Sequence, residues 1–145
     1  MALILVDTNV LLYAYDGREA VKNVHAIWML DRLREQGAGC LSTQNLAEFM
    51  NSARKLSITN QKARQYVAWF VEAWRIFDLT PAVVLEAARG VRDHALAYYD
   101  AQLWATAKLN QIPVIFSEDF NSGATLEGVR FVNPFAPTFR MDDWV

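Results

Sequence analysis

Three aspartates and a glutamate draw attention by where they stand. Asp7 follows the apolar run LILV, and Asp119 lies just past PVIF; open α/β sheets place ligand sites at the carboxyl ends of their strands, so two strands point acids the same way. Each also has an ordinary explanation, Asp7 as the N-cap of a helix opening at Thr8 and Asp119 as a turn residue. Asp100 shares a helical stripe with Leu103, Trp104 and Ala107, the face that should look inward. A carboxylate there needs a cation, a set of donors or a capping place at the helix start. Glu48 lies off the apolar face of Leu46, Phe49, Met50 and Ala53, and its own surroundings suggest a solvated side chain. Three or four carboxylates converging on one sheet edge would repel, and a divalent cation is the usual remedy. With oxygen ligands alone, Mg²⁺ or Mn²⁺ is the expected ion. The single cysteine, Cys40, and the two histidines, His25 and His94, cannot build a softer site. No G-x-S-x-G or Walker loop is present, and Ser42 and Ser117 have no features of nucleophiles.

These side chains need a scaffold, and the hydrophobic pattern predicts one. Ala2 to Val6 reads as a buried strand whose apolar continuity suggests a parallel sheet covered on both faces. Helices are predicted over Thr8 to Tyr15, Glu19 to Glu35, Gln44 to Lys55, Thr59 to Trp74, Pro81 to Asp93 and Tyr99 to Leu109, with further strands at Gly39 to Ser42, Ile76 to Leu79, Val114 to Phe116 and Val129 to Val132. The stretch Ser117 to Gly128 is rich in turn residues. Strands alternating with helices define an α/β fold with a mostly parallel sheet. In the helix from Thr59 to Trp74, Tyr66, Trp69, Phe70, Ala73 and Trp74 form one stripe with Val67 and Val71 beside it, which is either core packing or a groove for a partner.

The chain has 145 residues, 53% hydrophobic against 21% charged, with five Trp, eight Phe and five Tyr. That is enough apolar surface for one core, so a single domain over residues 1–145 is expected and global disorder is excluded. No apolar run approaches the roughly 18 residues that span a bilayer. The opening MALILVDTN lacks a basic leader region, and one cysteine forms no internal disulfide, so a cytoplasmic protein is expected. The net charge of −2 gives no bulk signal for nucleic acid, but leaving out the four candidate acids turns it to +2. Arg18, Lys22, Arg54 and Lys55 lie near those acids and are candidate phosphate contacts, though solvated charges of this kind usually serve solubility.

The segments VDTNVLLYA, NLAEFMN, YYDAQLWATA and VIFSEDF, followed by NPF, together resemble the PIN-domain ribonucleases, particularly the VapC-like toxins of toxin–antitoxin pairs, over nearly the whole chain. The resemblance implies a three-layer sandwich in which Asp7, Glu48, Asp100 and Asp119 are the acidic catalytic and metal positions, with Thr8, Asn9 and Ser117 as polar support. Asp7 and Asp100 would be primary ligands, Asp119 a ligand directly or through water, and Glu48 a ligand or the base that orients the water. Glu118 competes with Asp119 for the inward position, and strand alternation favours Asp119. The implied activity is Mg²⁺-dependent hydrolysis of RNA, with Mn²⁺ as substitute; the implied partners are an antitoxin protein and a second copy of the chain in a homodimer, with no membrane. The tail after NPF, with Asp142 and Asp143, departs from the pattern and receives no role.

Two other readings compete. A haloacid-dehalogenase-like phosphatase also begins with an aspartate after its first strand, but it needs a second aspartate where this chain has Asn9. A catalytically silent module could keep the fold for protein association alone, although the presence of all four acids argues against it.

Overall fold

Sequence continuity of apolar residues translates directly into short, doubly covered strands. The computed structural model describes residues 2–120 and 122–145, so Met1 of the first apolar run and Asn121 of the turn-rich stretch lie outside the described residues. The strands β1 (Ile4–Val6), β2 (Gly39–Ser42) and β4 (Val114–Phe116) are buried along their whole length. With β3 (Arg75–Phe77), β5 (Thr125–Leu126) and β6 (Val129–Val132) they form one six-stranded sheet in the order β3-β2-β1-β4-β6-β5. Every pairing is parallel except β5 with β6.

Among the described residues, six α-helices cover the sheet: α1 (Thr8–Tyr13), α2 (Ala20–Glu35), α3 (Thr43–Ala53), α4 (Asn60–Ala73), α5 (Pro81–His94) and α6 (Tyr98–Leu109). Local chemistry sets their starts. The Ser42, Thr59 and Thr80 hydroxyls accept from backbone N–H groups in the first turns of α3, α4 and α5, and Pro81 opens α5, where its missing N–H costs nothing. One core lies between the sheet and α1 to α4, and a second lies under α5 and α6 around Trp104. This is the three-layer α/β sandwich. In the first core Phe49 meets Phe70 and Tyr15 edge to face, with ring centroids 5.2 and 5.4 Å apart. In the second, a Cβ on Gly90 would stand 2.7 Å from the Trp104 ring, so only glycine lets α5 approach α6 this closely. No helix among the described residues is long and apolar enough to cross a membrane.

The differences from the sequence reading are local. Helix α1 ends at Tyr13, because the N–H groups of Ala14 and Tyr15 turn back to carbonyls three residues earlier. Strand β3 is shifted to Arg75–Phe77 by its register with β2. Strand β5 was not anticipated: its turn places Glu127 (φ 49°) and Gly128 (φ 86°) both at positive φ, a hairpin signal that Asn-Gly or Asp-Gly announces and Glu-Gly conceals. The apolar helix α4 divides its stripe. Phe70 and Trp74 are buried in the core, whereas Trp69 is 46% and Val71 53% exposed.

The tail, unassigned from sequence, closes the first core. Met141 is buried and Phe139 and Trp144 pack on it, both rings edge-on to Phe116. Arg32 of α2 donates to the Val145 carbonyl at 2.6 Å and pairs with Asp142 at 2.7 Å, which gives that aspartate a partner.

Candidate active site

Strand β1 is followed by β2 on one side of it and by β4 on the other, so chain connections diverge at the carboxyl ends of β1 and β4 and leave a crevice there. Asp7 follows β1 and caps α1: its Oδ1 accepts the Thr8 N–H at 2.7 Å. Capping and a place in the site are thus combined in one residue. Its Oδ2 accepts from the buried Ser117 hydroxyl at 2.6 Å, just past the end of β4. Burial pushes the Asp7 carboxyl up to about 7; the hydrogen bonds from Ser117 and Thr8 oppose this, and the negative charges of Glu48 and Asp119 add to it.

Glu48 projects from α3 toward the same crevice. It is half-buried and accepts from the Thr8 hydroxyl at 2.9 Å. The reading of Glu48 as an ordinary solvated side chain is therefore corrected: Gln44 and Asn45, one turn back on the same face, are buried with it. Asn45 Nδ2 donates to Thr8 Oγ1 at 3.1 Å and its Oδ1 accepts from Ser42. Gln44 Nε2 donates to the Tyr99 carbonyl at 2.9 Å, and Gln102 Nε2 donates to Gln44 Oε1 at 3.0 Å, which ties α3 to the first turns of α6. This buried amide network was missed in the sequence, where the polar spacing of Gln44, Asn45 and Glu48 was its only signal. Glu48 is raised above its ordinary range by burial first, against hydrogen bonds from Thr8 and Gln44, and then by Asp100 and Asp119.

Asp100 stands in the first turn of α6, whose N-cap Ala97 supplies no side-chain bond, so Asp100 is not the cap. Its carboxyl is raised by burial and by the charge of Asp119. Asp119 follows Ser117 outside any strand, so alternation does not orient it; its N–H donates to Ser117 Oγ at 3.1 Å, and its exposed carboxylate acts on Asp7, Glu48 and Asp100 alike. Asn9 completes the support, its Nδ2 3.4 Å from Ser117 Oγ. Glu118 turns instead to Tyr13 and Lys22, each 2.6 Å away.

Asp119 thus sits within electrostatic reach of the other three acids and Glu48 within reach of Asp7 and Asp100, and no Lys or Arg pairs with any of the four among the described residues. Among those residues, no three acid, His or Cys side chains converge to metal-binding distance. The donor chemistry still fits a hard divalent cation: carboxylate oxygens alone, with Asp7, Glu48 and Asp100 raised by burial first and then by their acidic neighbours. The other chemistry-bearing residues lie elsewhere. His25 Nε2 donates to the Pro134 carbonyl at 2.7 Å, His94 meets Glu127 at 2.6 Å, and buried Cys40 has its thiol pushed up to about 12 by burial.

Parallel strands, a crevice at their divergence and four acids without a cation are the features of an acid-site α/β domain, and the sequence profile of the PIN domain matches residues 4–122. The chain belongs to the PIN domain family. Among solved structures it resembles a toxin–antitoxin complex from Klebsiella pneumoniae, at 21% identity and a TM-score of 0.67, covering 91% of this chain and 98% of that one. It also resembles the DNA-bound VapBC of Salmonella typhimurium, at 17% identity and TM-score 0.66, covering 90% and 97%. A third is the VapC20 toxin of Mycobacterium tuberculosis, which cleaves the sarcin-ricin loop, at 20% identity and TM-score 0.64, covering 88% and 98%. At these identities the likeness is one of fold. No curated protein matches the chain by sequence.

Proposed function

We propose that this protein is a divalent-metal-dependent endoribonuclease, acting as the toxin of a toxin–antitoxin pair. The observation that carries the reading is the electrostatic influence that Asp7, Glu48, Asp100 and Asp119 exert on one another past the strand ends, with no Lys or Arg paired to any of them among the described residues. Asp7, Asp100 and Asp119 would hold Mg²⁺ or Mn²⁺, with Glu48 as a further ligand or as the base. A bound ion would supply charge to polarise a phosphodiester and to lower the pKa of water. The chain's own part is positioning. Ser117 and the Thr8 N–H fix both oxygens of Asp7, while Thr8, itself held by Asn45, fixes one oxygen of Glu48 and leaves the other free to take a proton. The fold neighbours that are toxin–antitoxin complexes support the toxin reading.

Cleavage of a panel of structured RNAs by the purified chain with Mg²⁺, Mn²⁺ or EDTA tests it, beside Asp7→Asn and Asp100→Asn. Metal-dependent cutting that falls by about 100-fold or more in both variants is the expected result. Cutting that survives EDTA and both substitutions would overturn it. An antitoxin would dock an apolar segment between α2 and α4, in a cavity of about 200 Å³ lined by Tyr15, Ile27, Trp69 and Trp74. Trp74, one of the lining residues, is buried, and its Nε1 has no acceptor among the described residues. Neutralisation by the product of the adjacent reading frame, weakened by Trp69→Asp, is the expected behaviour. The homodimer would use the exposed apolar stripe of Val84 and Val91 on α5, with Leu85 beside it; sedimentation of wild type against Leu85→Asp checks it.

A further inference from the structure

Glu118 lies between two residues of the acid site and faces neither. Ser117 donates to Asp7, and Asp119 acts on the other three acids, yet the carboxylate between them accepts from the Tyr13 hydroxyl at 2.6 Å and pairs with Lys22 Nζ at 2.6 Å. Both partners are themselves fixed. Lys22 Nζ lies 3.3 Å from Tyr13 Oη and 4.8 Å over the Tyr13 ring, and that ring meets Phe135 edge to face at 5.0 Å. Lys22 and Glu118 are 35% and 26% exposed, so an ion pair of this kind contributes little to global stability. Its geometry bears instead on the segment after β4, which no strand holds. There the Ser117 N–H donates to Val132, the Asp119 N–H to Ser117 Oγ and the Glu118 N–H, at a long 3.5 Å, to Asn9.

We propose that Lys22 and Tyr13 form a latch on Glu118 that positions Asp119 over the acid crevice and keeps a fifth carboxylate out of it. Lys22 then serves the site from behind and is not a contact to RNA phosphate. The inference rests on the metal-site reading of the four acids. Latched, the segment presents Asp119 to Asp7, Glu48 and Asp100; released, Asp119 loses its fixed approach and Glu118 becomes a free negative charge beside a cluster that already lacks a cation.

The test uses the full chain and the variants Lys22→Met, Glu118→Gln, their double and Tyr13→Phe. Mn²⁺ affinity is read from the electron paramagnetic resonance of free Mn²⁺, with kcat and KM for a cleaved RNA measured separately. Lys22→Met and Glu118→Gln are each expected to weaken Mn²⁺ binding and lower kcat by about 10-fold, the loss typical of groups that orient metal ligands, with KM unchanged. The double variant should be no worse than either single one, because the pair acts as a unit. Tyr13→Phe keeps the ring and should show a smaller loss of the same kind; it decides the matter should the other variants fail to fold. A rise in KM with a shallower salt dependence in Lys22→Met alone would make Lys22 a phosphate contact and overturn the latch. Tighter Mn²⁺ binding in Lys22→Met would make Glu118 a ligand and overturn it too. Variants that match a Mn²⁺-binding wild type overturn the latch alone, whereas a wild type that binds no Mn²⁺ overturns the metal reading and the latch with it.

Discussion

Ser117 is buried, and its hydroxyl donates to Asp7 while accepting the Asp119 N–H, so one side chain orients two of the four acids. Ser117→Ala removes that bond without adding bulk. The expected result is a 10- to 100-fold loss of Mn²⁺ affinity, about the range for groups behind metal ligands, with the fold retained in circular dichroism. Asp7 also predicts a pH dependence of stability in metal-free protein. Its folded pKa, raised by burial to about 7, lies above the unfolded value of 3.8, so the native state binds more protons between the two. Stability contributed by the protonated form is complete below about pH 4 and is lost as pH rises to 7, by at most about 4 kcal/mol for a shift of this size. Denaturant midpoints of wild type and Asp7→Asn should therefore diverge across that window, and Mg²⁺ should close the gap near pH 7. Asp7 and Asp119 stand out in the sequence because each follows an apolar strand, and Asp100 because it shares a helical stripe with Leu103, Trp104 and Ala107. Glu48 does not, since the Gln44 amide beside it is tied to Gln102 of another helix, a 3.0 Å contact that spans 58 positions of sequence.

Most elements were written in local pattern. Strands β2, β4 and β6 coincide with their predicted spans, and α5 and α6 match to within a residue, because apolar periodicity, Thr80 with Pro81 and the apolar run at 114–116 are local signals. Besides the two-residue β5, what escaped was the tail. Its value comes from tertiary contacts made far back in the chain, with Arg32 and Phe116, while its own composition shows only a polar, Pro-containing end. The matched PIN domain ends at residue 122, so this covering of the first core is built from residues beyond the match. Trp144→Ala deletes the ring that meets Phe116 at 5.8 Å and carries Arg130 5.2 Å above its face. The side chain is only part-buried, so a loss of about 1–3 kcal/mol in urea unfolding is expected, below the full cost of a core aromatic. Activity per folded molecule should be unchanged, because the tail touches none of the four acids.

Across the whole molecule, charge is spent in a way that composition alone could not reveal. Of the four cations close to the acidic motifs in sequence, Arg18 pairs with Asp16 at 2.8 Å and Lys22 with Glu118, whereas Arg54 and Lys55 lie exposed just past the end of α3 with no ion pair among the described residues. The Lys22 pairing joins residues 96 apart in sequence, which is why all four had looked equivalent. A chain of net charge −2 with this few free cations near its crevice should hold RNA weakly and through few phosphates. Each neutralised phosphate contributes a slope of about −0.7 to log K against log salt for a single strand, so a wild-type slope no steeper than about −3 is expected. Replacing Arg54 and Lys55 together by Ala should flatten that slope by about 1 to 1.5, whereas Arg18→Ala should leave it nearly unchanged. Fluorescence anisotropy of a labelled RNA at several KCl concentrations, with Ca²⁺ in place of Mg²⁺ to suppress cleavage, measures both. A slope flattened by Arg18→Ala and not by the double variant would place the RNA along the segment that leads into α2 rather than along the end of α3.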